Sequence, residues 1–413
     1  MHRAHGSKMP AIVLGRGYTA LGMLRSLALA GIPAYVASPP GDLVTHSRWY
    51  RPVPGAFWDG RLGDQGLALL RNCPLREAVL LPGADDAALW AAALPLLPDL
   101  AARFRVSSSS AETLSLLQDK SRLAKTLQAV GLPAPRTFQV ACVADIALIP
   151  FEALDRVFVK PADSQAFNQL TGGKGMWAAG RAEFEEIWRS LDARGLRVIA
   201  QEYIPGGADQ HFFVDGFRDV GGTFRGLFAR RRFRIDPPDF GNSSYCESIP
   251  PGEVSAGIDG LSRLFRHLGY RGMFSAEFKR DARDGQLRLL EVNTRAWWYV
   301  EFAARCGVNV CRMAYEDALG EPVASASGYR VGAGCVNMLG DIKSVAAQGG
   351  RRLPPASVLL QWLRADRHVF RADDPGPGMH VSLQLLRAWC ARIASEWRQA
   401  VRRMPASGPA TPD

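Results

Sequence analysis

The sequence predicts a mixed fold, in which a parallel α/β domain is followed by a strand-rich α+β unit and a C-terminal extension. Three observations support this fold class. The chain opens with a strand, a glycine turn, a helix and a second strand; apolar residues alternate after about residue 209; and two acidic strands close into a hairpin. We place the domains at residues 10–118, 119–325 and 326–413, which suits a chain of 413 residues.

The N-terminal βαβ unit contains a glycine turn that has two interpretations. An apolar run leads into Gly15-x-Gly17-x-x-Ala20 and then into a helical pattern. This spacing matches the relaxed dinucleotide fingerprint, so a nicotinamide- or flavin-dependent oxidoreductase is one hypothesis. The second strand, however, ends in Ser-Pro-Pro at residues 38–40, where the ribose-binding acid should stand, and Asp42 follows only later. A tight turn that serves architecture or a substrate carboxylate is the favoured interpretation.

The second unit begins at Asp119 with a predicted helix, DKSRLAKTLQAV, which a Gly-Leu-Pro stop ends. RVFVKP and VIAQEYIPG predict strands, and the loop ADSQAFNQLTGGKGMWAA lies between them. From about residue 209 to the acidic hairpin, the pattern is alternating and predicts a strand-rich region. Near the C-terminus, Leu383, Leu386, Cys390, Ile393 and Trp397 share one face of a basic helical pattern. An ordinary docked helix is favoured there over a partner or membrane-surface helix.

The acidic hairpin is the most informative part of the chain. With FSAEFKRD and LRLLEVN as strands and a three-residue loop at 283–285, Glu277 lies opposite Glu291, and period two places Asn293 on the same face. Opposed carboxylates repel each other, so we expect a cation beside them. Carboxylate and amide oxygens without His or Cys suit Mg²⁺. The alternative is a solvated hairpin face with a chance acidic pair.

The same register divides the other hairpin residues between two faces. Leu289 shares the acidic face, whereas Phe274, Phe278, Leu290 and Val292 make the opposite face apolar. This division is typical of a sheet that packs on a core below and opens to a cleft above.

Two lysines stand where a polyphosphate could bind. Lysine is scarce, since it supplies only seven of the 50 basic residues. Lys160 ends a predicted strand, and Lys174 lies in a Gly-Gly-Lys-Gly loop whose exposed backbone N–H groups suit phosphate oxygens. A lysine in an ordinary surface turn, or at an ordinary strand end, remains the alternative for each.

Six segments in this order and spacing resemble the ATP-grasp carboxylate–amine ligases: DKSRLAKTLQAVGLPAPRTF, VFVKPADS, TGGKGM, QEYIPGGADQ, FSAEFKRD and LLEVNTR. The resemblance covers about residues 10–322. It implies a two-subdomain ATP-grasp fold preceded by a Rossmann-like domain, with a C-terminal extension whose role it does not supply.

The resemblance also implies roles for individual residues. The matching positions for ATP phosphates are Lys120, Lys160, Gly173 and Lys174. Those at the adenine and ribose are Gln201, Glu202, Tyr203, Ile204 and Asp209, of which Asp209 could equally be an exposed turn acid. The metal ligands would be Glu277, Glu291 and Asn293, and Arg295 would lie near the transferred phosphate. Arg230, Arg232 and Arg234 share a strand face, with Arg231 on the opposite face. Of these, Arg230 and Arg232 are the further candidates to reach an acyl phosphate.

The implied function is ATP-dependent formation of an amide bond through an acyl phosphate, with ADP and phosphate released. ATP and Mg²⁺ are the expected cofactors, with two ions and with Mn²⁺ as a possible substitute. Neither a GxSxG nor an HExxH motif is present, in keeping with a reaction that needs no protein nucleophile. Two alternatives remain, the oxidoreductase that uses Gly15, Gly17 and Ala20, and a non-catalytic ATP-binding regulator.

The amino-acid composition bears on the partners, the cysteine chemistry and the location of the protein. The net charge of +10 comes from basic residues spread along the chain, which fits small anionic substrates and gives no nucleic-acid-binding block. Seven cysteines without CxxC spacing predict free thiols. No stretch is long and apolar enough for a membrane span, and the N-terminus is a poor secretory signal, so we expect a cytoplasmic protein. Small-molecule carboxylate and amine substrates are the expected partners, and a homodimer is compatible with the sequence.

Overall fold

The computed structural model describes residues 8–154, 156–161, 175–238, 241–349 and 355–402. Its first part is a four-stranded parallel sheet in the order β2-β1-β3-β4. The strands are β1 (Ala11–Leu14), β2 (Ala34–Ala37), β3 (Ala78–Pro82) and β4 (Phe104–Arg105). The helices are α1 (Gly17–Leu29), α2 (Gly63–Arg71), α3 (Asp85–Ala93), α4 (Pro98–Ala101), α5 (Ala111–Gln118) and α6 (Lys120–Ala129). The predicted βαβ opening is confirmed.

A small antiparallel sheet follows, in the order β5-β8-β6-β7. Its strands are β5 (Thr137–Val140), β6 (Val157–Pro161), β7 (Met176–Ala178) and β8 (Val198–Glu202), and its helices are α7 (Val143–Ala147) and α8 (Arg181–Asp192). Phe184, Trp188 and Leu191 of α8 are buried at helical spacing, and they pack in one core with Val159 of β6 and Ala200 of β8. This sheet therefore has a core of its own.

The central sheet has seven strands in the order β13-β12-β9-β10-β11-β14-β15. They are β9 (His211–Arg218), β10 (Phe224–Asp236), β11 (Asn242–Ser248), β12 (Gly272–Arg280), β13 (Leu287–Asn293), β14 (Gly334–Val336) and β15 (Asp366–Arg367). The region from about residue 209 to the hairpin is strand-rich, as predicted. It also contains a helix that was not predicted, α9 (Ser255–His267), because Leu261, Leu264 and Phe265 bury one helical face there.

The remaining helices follow the hairpin. They are α10 (Val300–Cys306), α11 (Val310–Ala318), α12 (Met338–Gly349), α13 (Ala356–Arg364) and α14 (Pro375–Arg402). Short 3₁₀ turns lie at Leu43–His46, Leu94–Leu96, Phe151–Ala153, Ala208–Gln210 and Pro251–Val254. The seven cysteines are free, as predicted. Among the described residues, no helix is long and apolar enough to cross a membrane.

The acidic hairpin of β12 and β13 has the predicted opposition of its two glutamates. Glu277 lies opposite Glu291. Nearer the turn the ladder shifts by one residue, so Phe278 pairs with Leu289. Leu290 is therefore the extra residue of a β-bulge.

The turn explains why this bulge is needed. The backbone N–H of Asp281 donates to the carbonyl of Gln286 at 2.9 Å, so four residues form the loop and not the predicted three. Without a bulge, that loop would set Glu277 opposite Leu290. The predicted faces of two leucines are consequently wrong: Leu289 is buried in the core, whereas Leu290 lines a cavity.

A buried ion pair joins the C-terminal extension to the N-terminal domain. Arg25 of α1 is fully buried, and its Nε donates to Asp374 Oδ2 at 2.8 Å. Asp374 also accepts hydrogen bonds from Ser47 Oγ and from the backbone N–H of Arg48, each at 2.8 Å. In addition, β14 and β15 of the extension are strands of the central sheet. The extension thus holds the first and second units together.

His368 of this extension is buried between two tyrosine rings. Its ring centroid lies 5.2 Å from that of Tyr18 and 5.1 Å from that of Tyr299. Burial, and then the positive charge of Arg25, lower the pKa of His368 to about 3. The side chain is therefore neutral in the folded protein at every mildly acidic pH.

Replacement of His368 by Phe should reduce the loss of stability in acid. Below pH 6.5 the unfolded chain binds a proton at His368 that the folded chain does not, so stability falls as the pH drops toward the folded pKa of about 3. From pH 7 to pH 4 this histidine should cost about 3 kcal/mol, which His368→Phe would spare. Urea unfolding across that pH range measures the difference, and His267→Phe at an exposed position is the control. Parallel pH profiles for His368→Phe and the wild type would contradict this account.

Candidate active site

Two carboxylates of the hairpin lie at the boundary between two cavities. Glu277 on β12 and Glu291 on β13 line one cavity. His211, which contacts Glu277, and Leu290, which precedes Glu291, line the other. The bulge at Leu290 makes this possible, because it lets two successive residues of β13 face the cleft.

Glu277 is held in its ionised form by neighbouring positive charge and a hydrogen bond. Its Oε1 lies 2.7 Å from His211 Nδ1 and 3.3 Å from Arg232 Nη2. Burial alone would raise the pKa of Glu277, but Arg232, His211 and Lys160 together outweigh burial and hold the pKa well below its usual range. Because an ionised carboxylate can only accept, the His211 ring donates its Nδ1–H.

The His211 ring itself is neutral at neutral pH. Burial is the main cause that lowers its pKa, the hydrogen bond to Glu277 acts in the opposite direction, and the charges of Arg232 and Lys279 lower the pKa further. A neutral ring that donates from Nδ1 leaves Nε2 as an acceptor, and His211 lines the same cavity as Leu290.

Glu291 and Asn293 continue the polar face of β13. Asn293 donates from Nδ2 to Glu291 Oε1 at 3.1 Å, and its Oδ1 accepts from Arg295 Nη2 at 3.1 Å. The same Arg295 nitrogen lies 3.2 Å from Asp85 Oδ2 at the start of α3. This chain of contacts connects the hairpin to the N-terminal domain.

Lys160, at the end of β6, faces the same acids from the small sheet. Burial lowers the pKa of Lys160, the charges of Glu291 and Glu277 raise it, and that of Lys120 lowers it. All three groups therefore lie close enough to Lys160 to interact electrostatically. Glu277 and Glu291 together form a surface that we call the carboxylate wall, and the small sheet contributes positive charge beside it.

The first of the two cavities, which we call the aromatic cavity, has a volume of about 400 Å³. Its lining residues are Phe158, Lys160, Trp177, Gln201, Glu202, Tyr203, Ile204, Gly206, Gly207, Ala208, His211, Ile235, Pro238, Lys279 and Leu290. Trp177 and Tyr203 meet edge to face, with ring centroids 5.3 Å apart. Flat aromatic side chains and a few polar groups in one lining suit a heteroaromatic ring.

The polar side chains of β8 serve mainly to fix this strand in place. Glu202 accepts from the backbone N–H of Arg136 at 3.0 Å and pairs with Arg283 at 2.8 Å. Gln201 donates to Thr137 Oγ1 at 3.1 Å. Burial would raise the pKa of Glu202, but these hydrogen bonds and both arginines lower it, so its carboxylate stays ionised beside the cavity.

The second cavity, which we call the arginine cavity, has a volume of about 480 Å³ and lies between the N-terminal domain and the central sheet. Its charged lining residues are Arg16, Arg230, Arg232, Arg295, Asp85, Glu277 and Glu291. Its aromatic lining residues are Tyr18, Phe213, Trp297, Trp298 and Tyr299. Cations at several points of one wall suit an anionic ligand.

A buried ion pair supports β10 beside this cavity, and we call β10 the arginine strand because it carries Arg230 and Arg232. Arg230 donates from Nε to Asp215 Oδ2 at 2.7 Å, and Ser275 Oγ donates to Asp215 Oδ1 at 2.6 Å. The Arg230 guanidinium also stacks on Phe213, with Cζ 3.8 Å from the ring centroid. Burial raises the pKa of Asp215, while Arg230 and Ser275 oppose that shift.

Comparisons with known proteins identify the fold. No family model matches the chain. One similar structure is the biotin carboxylase domain of the 2-oxoglutarate carboxylase of Hydrogenobacter thermophilus, which was solved as a dimer with MgADP, ADP and bicarbonate. It has a TM-score of 0.61 at 17% identity, and the match covers 80% of this chain and 74% of that one. N5-carboxyaminoimidazole synthetase of Staphylococcus aureus has a TM-score of 0.61 at 15% identity, over 84% of this chain and 87% of that one. The chain has the ATP-grasp fold. At these identities the likeness establishes the ATP-grasp fold and not the reaction.

One curated relative can be aligned in sequence. The D-aspartate ligase of Enterococcus faecium (strain Aus0004) is 25% identical over 174 residues, which is 41% of this chain and 41% of the relative. The match therefore spans less than half the length of that relative.

Most of the predicted site residues lie together in the ATP-grasp cleft. Residues of the arginine cavity are Arg230, Arg232, Glu277, Glu291, Asn293 and Arg295, and those of the aromatic cavity are Lys160, Gln201, Glu202, Tyr203 and Ile204. Lys120 lies near Lys160. Gly173 and Lys174 lie outside the described residues.

Asp209 is a predicted site residue that lines neither cavity. Its Oδ2 lies 3.0 Å from Arg231 Nη2, and it does not line the aromatic cavity although its neighbours Gly207 and Ala208 do. Arg231 does not line the arginine cavity, in keeping with its predicted position on the opposite face. The predicted face of Arg234 is wrong, because the register shifts after Arg232 and Arg234 pairs with Asp341 instead of lining that cavity. The ribose role of Asp209 stays a prediction.

His211, Trp177 and Asp215 are functional residues of the site that the sequence did not predict. None of the three carries a signal in the sequence, since their roles depend on which strands become neighbours in the small and central sheets.

Replacement of Arg230 by Met should destabilise the protein strongly. The charge of Asp215 would remain buried without its partner, which typically costs about 3–5 kcal/mol. The double variant Arg230→Met/Asp215→Asn should recover most of that loss, because Asn is neutral and can still bond to Ser275. Denaturant unfolding measures both variants, and Arg392→Met in an exposed pair is the control. Equal stabilities for the single and double variants would contradict the pairing argument.

Proposed function

We propose that this chain is an ATP-dependent ligase that joins a carboxylate to an amine. In the proposed reaction the terminal phosphoryl group of ATP passes to a substrate carboxylate oxygen. The amine then attacks the acyl carbon, phosphate leaves, and the amine nitrogen loses a proton as the amide forms. The observation that carries the proposal is the position of the Glu277–Glu291 wall, between a cavity suited to a heteroaromatic ring and a cavity suited to an anion.

The oxygens on this wall fit Mg²⁺. Glu277, Glu291 and Asn293 supply two carboxylates and an amide on one face of the hairpin, and hard divalent cations prefer such oxygen donors. These three residues would hold the ion, and Mn²⁺ shares the same ligand preference. When bound, Mg²⁺ would neutralise charge on the ATP phosphates. Two ions are part of the proposal.

The protein's contribution is to position both substrates and to stabilise developing charge. In the aromatic cavity, Trp177, Ile204 and Leu290 would enclose the adenine ring. Lys160 and Lys120 would pair with phosphate oxygens near the carboxylate wall. The same role is proposed for Lys174 and the N–H of Gly173.

Arg232 is the arginine best placed to stabilise the acyl phosphate. It lies beside Glu277 and donates from Nε to Ser243 Oγ at 3.1 Å, so its guanidinium is fixed before a substrate arrives. A preorganised guanidinium of this kind stabilises charge without reorganisation during the reaction. Arg230 fixes the strand through Asp215, and Arg295 bonds to Asn293 and Asp85.

The amine and the carboxylate are proposed to be small metabolites, with amino acids the first class to test. The partial sequence match to a protein called D-aspartate ligase supports this choice. The dimer seen for the biotin carboxylase domain is compatible with a homodimer here, which stays a prediction.

The dinucleotide hypothesis receives less support. The N–H of Gly17 donates to both carboxylate oxygens of Asp42, at 2.8 and 3.1 Å. A pyrophosphate at the start of α1 would have to displace this carboxylate, and like charges would repel. The glycine turn instead places Arg16 and Tyr18 at the wall of the arginine cavity.

Turnover should require both substrates and the carboxylate wall. Purified protein with ATP, Mg²⁺ and paired pools of amino acids should release ADP and phosphate only when donor and acceptor are both present. Glu291→Gln and Asn293→Ala should each lower that rate by about 10–100-fold or more, because each removes an oxygen that would hold the ion. A coupled ADP assay measures the rate, and Glu321→Gln at an exposed position after α11 is the control.

Two outcomes would contradict the proposal. Full turnover in Glu291→Gln would remove the metal role from the wall. Thermal stabilisation by ATP and Mg²⁺ without product over a broad substrate screen would instead favour a non-catalytic ATP-binding regulator.

A further inference from the structure

The C-terminal helix α14 has an apolar face that no described part of the chain covers. Met379, Leu383, Leu386, Trp389 and Ile393 recur at helical spacing and are 68%, 45%, 54%, 61% and 37% exposed. The sequence favoured a docked helix at this position. Among the described residues, no element packs against this face.

The helix is attached firmly at its first turns only. The ring of His380 stacks on that of His46, with centroids 3.7 Å apart. Gly376 lies so close to the His46 carbonyl that a Cβ there would be 2.0 Å from the oxygen, and the buried Asp374 precedes it. From Leu383 to Glu396 every side chain is exposed. The helix is thus held by the N-terminal domain and extends away from it.

The charge of the helix identifies the kind of surface that fits it. The segment 375–402 contains four arginines, Arg387, Arg392, Arg398 and Arg402, and one acid, Glu396. A second copy of the helix would bring together two segments that each carry a net charge of +3, and like charges oppose that pairing. An anionic surface that also accepts apolar side chains matches both properties of the helix.

We propose that α14 binds the surface of membranes that contain anionic lipid. The helix lies in the plane of the interface, with Leu383, Leu386 and Ile393 among the acyl chains and Trp389 at the level of the headgroups. Arg387 and Arg392 pair with lipid phosphates. With 28 residues the helix is about 42 Å long, enough for several such contacts. This proposal does not depend on the ligase reaction.

Sedimentation of the full chain with lipid vesicles tests the proposal. The protein should bind vesicles of phosphatidylcholine with about one-third phosphatidylglycerol at least about tenfold more tightly than vesicles of phosphatidylcholine alone. High salt should weaken the binding, because it screens the arginines.

Two variants with the same charge change separate surface insertion from simple attraction. Leu386→Glu places a carboxylate in the apolar face and should lower vesicle binding by about tenfold or more. Gln384→Glu adds the same charge about 200° away on the polar face and should lower it much less. Both variants should unfold at the wild-type temperature, since neither side chain packs on the body of the protein.

Three results would overturn the proposal. They are no sedimentation of the wild type with anionic vesicles, equal binding by Leu386→Glu and Gln384→Glu, or a dimer in solution that Leu386→Glu dissociates while vesicle binding is absent. The last result would assign the apolar face to a second copy of the chain. Loss of ligase activity is not a readout, so failure here and failure of the proposed reaction are distinguishable.

Discussion

Two carboxylates held opposite each other on neighbouring strands require positive charge beside them, and this requirement organises the centre of the protein. The charge that neighbours Glu277 and Glu291 comes from separate elements: Arg232 on β10 and Lys160 on β6. His211 on β9 adds a hydrogen bond from a neutral ring. The hairpin, the arginine strand and the small sheet therefore meet at one wall. The protein's own cations already offset part of the repulsion between the two carboxylates. Mg²⁺ is therefore favoured by the oxygen donors that share one face of the hairpin, and not by repulsion alone.

The β-bulge at Leu290 determines what that wall can do. Regular alternation would place only every second residue of β13 in the cleft. With the bulge, Leu290 lines the aromatic cavity and Glu291 lines the arginine cavity, while Leu289 and Val292 remain in the core. An apolar contact for a flat ring and a carboxylate for a cation thereby lie next to each other. The C-terminal extension completes the arrangement, because the Arg25–Asp374 pair joins the N-terminal domain to an extension whose strands β14 and β15 belong to the central sheet.

The sequence was sufficient for features that depend on local pattern. The βαβ opening, the Glu277–Glu291 opposition and the strand that carries Arg230 and Arg232 follow from periodicity, turn residues and order along the chain. The faces of Leu289 and Leu290 could not be predicted, because a four-residue loop and a bulge cancel each other at Glu277 and leave no signature in the pattern. The roles of Asp215 and Trp177 were also inaccessible, since they arise from pairings between distant strands. The helix α9 could have been predicted from Leu261, Leu264 and Phe265, whose spacing is helical.

The central claim is that the hairpin wall holds the ATP phosphates and a divalent cation between the two cavities. A crystal structure of this chain with a non-hydrolysable ATP analogue and Mn²⁺, which anomalous scattering locates, tests it most directly. The account predicts an anomalous peak about 2.1–2.2 Å from oxygens of Glu277, Glu291 and Asn293, with the adenine between Trp177 and Leu290. A nucleotide bound at the Gly15–Gly17 turn, or a metal remote from the hairpin, would contradict it.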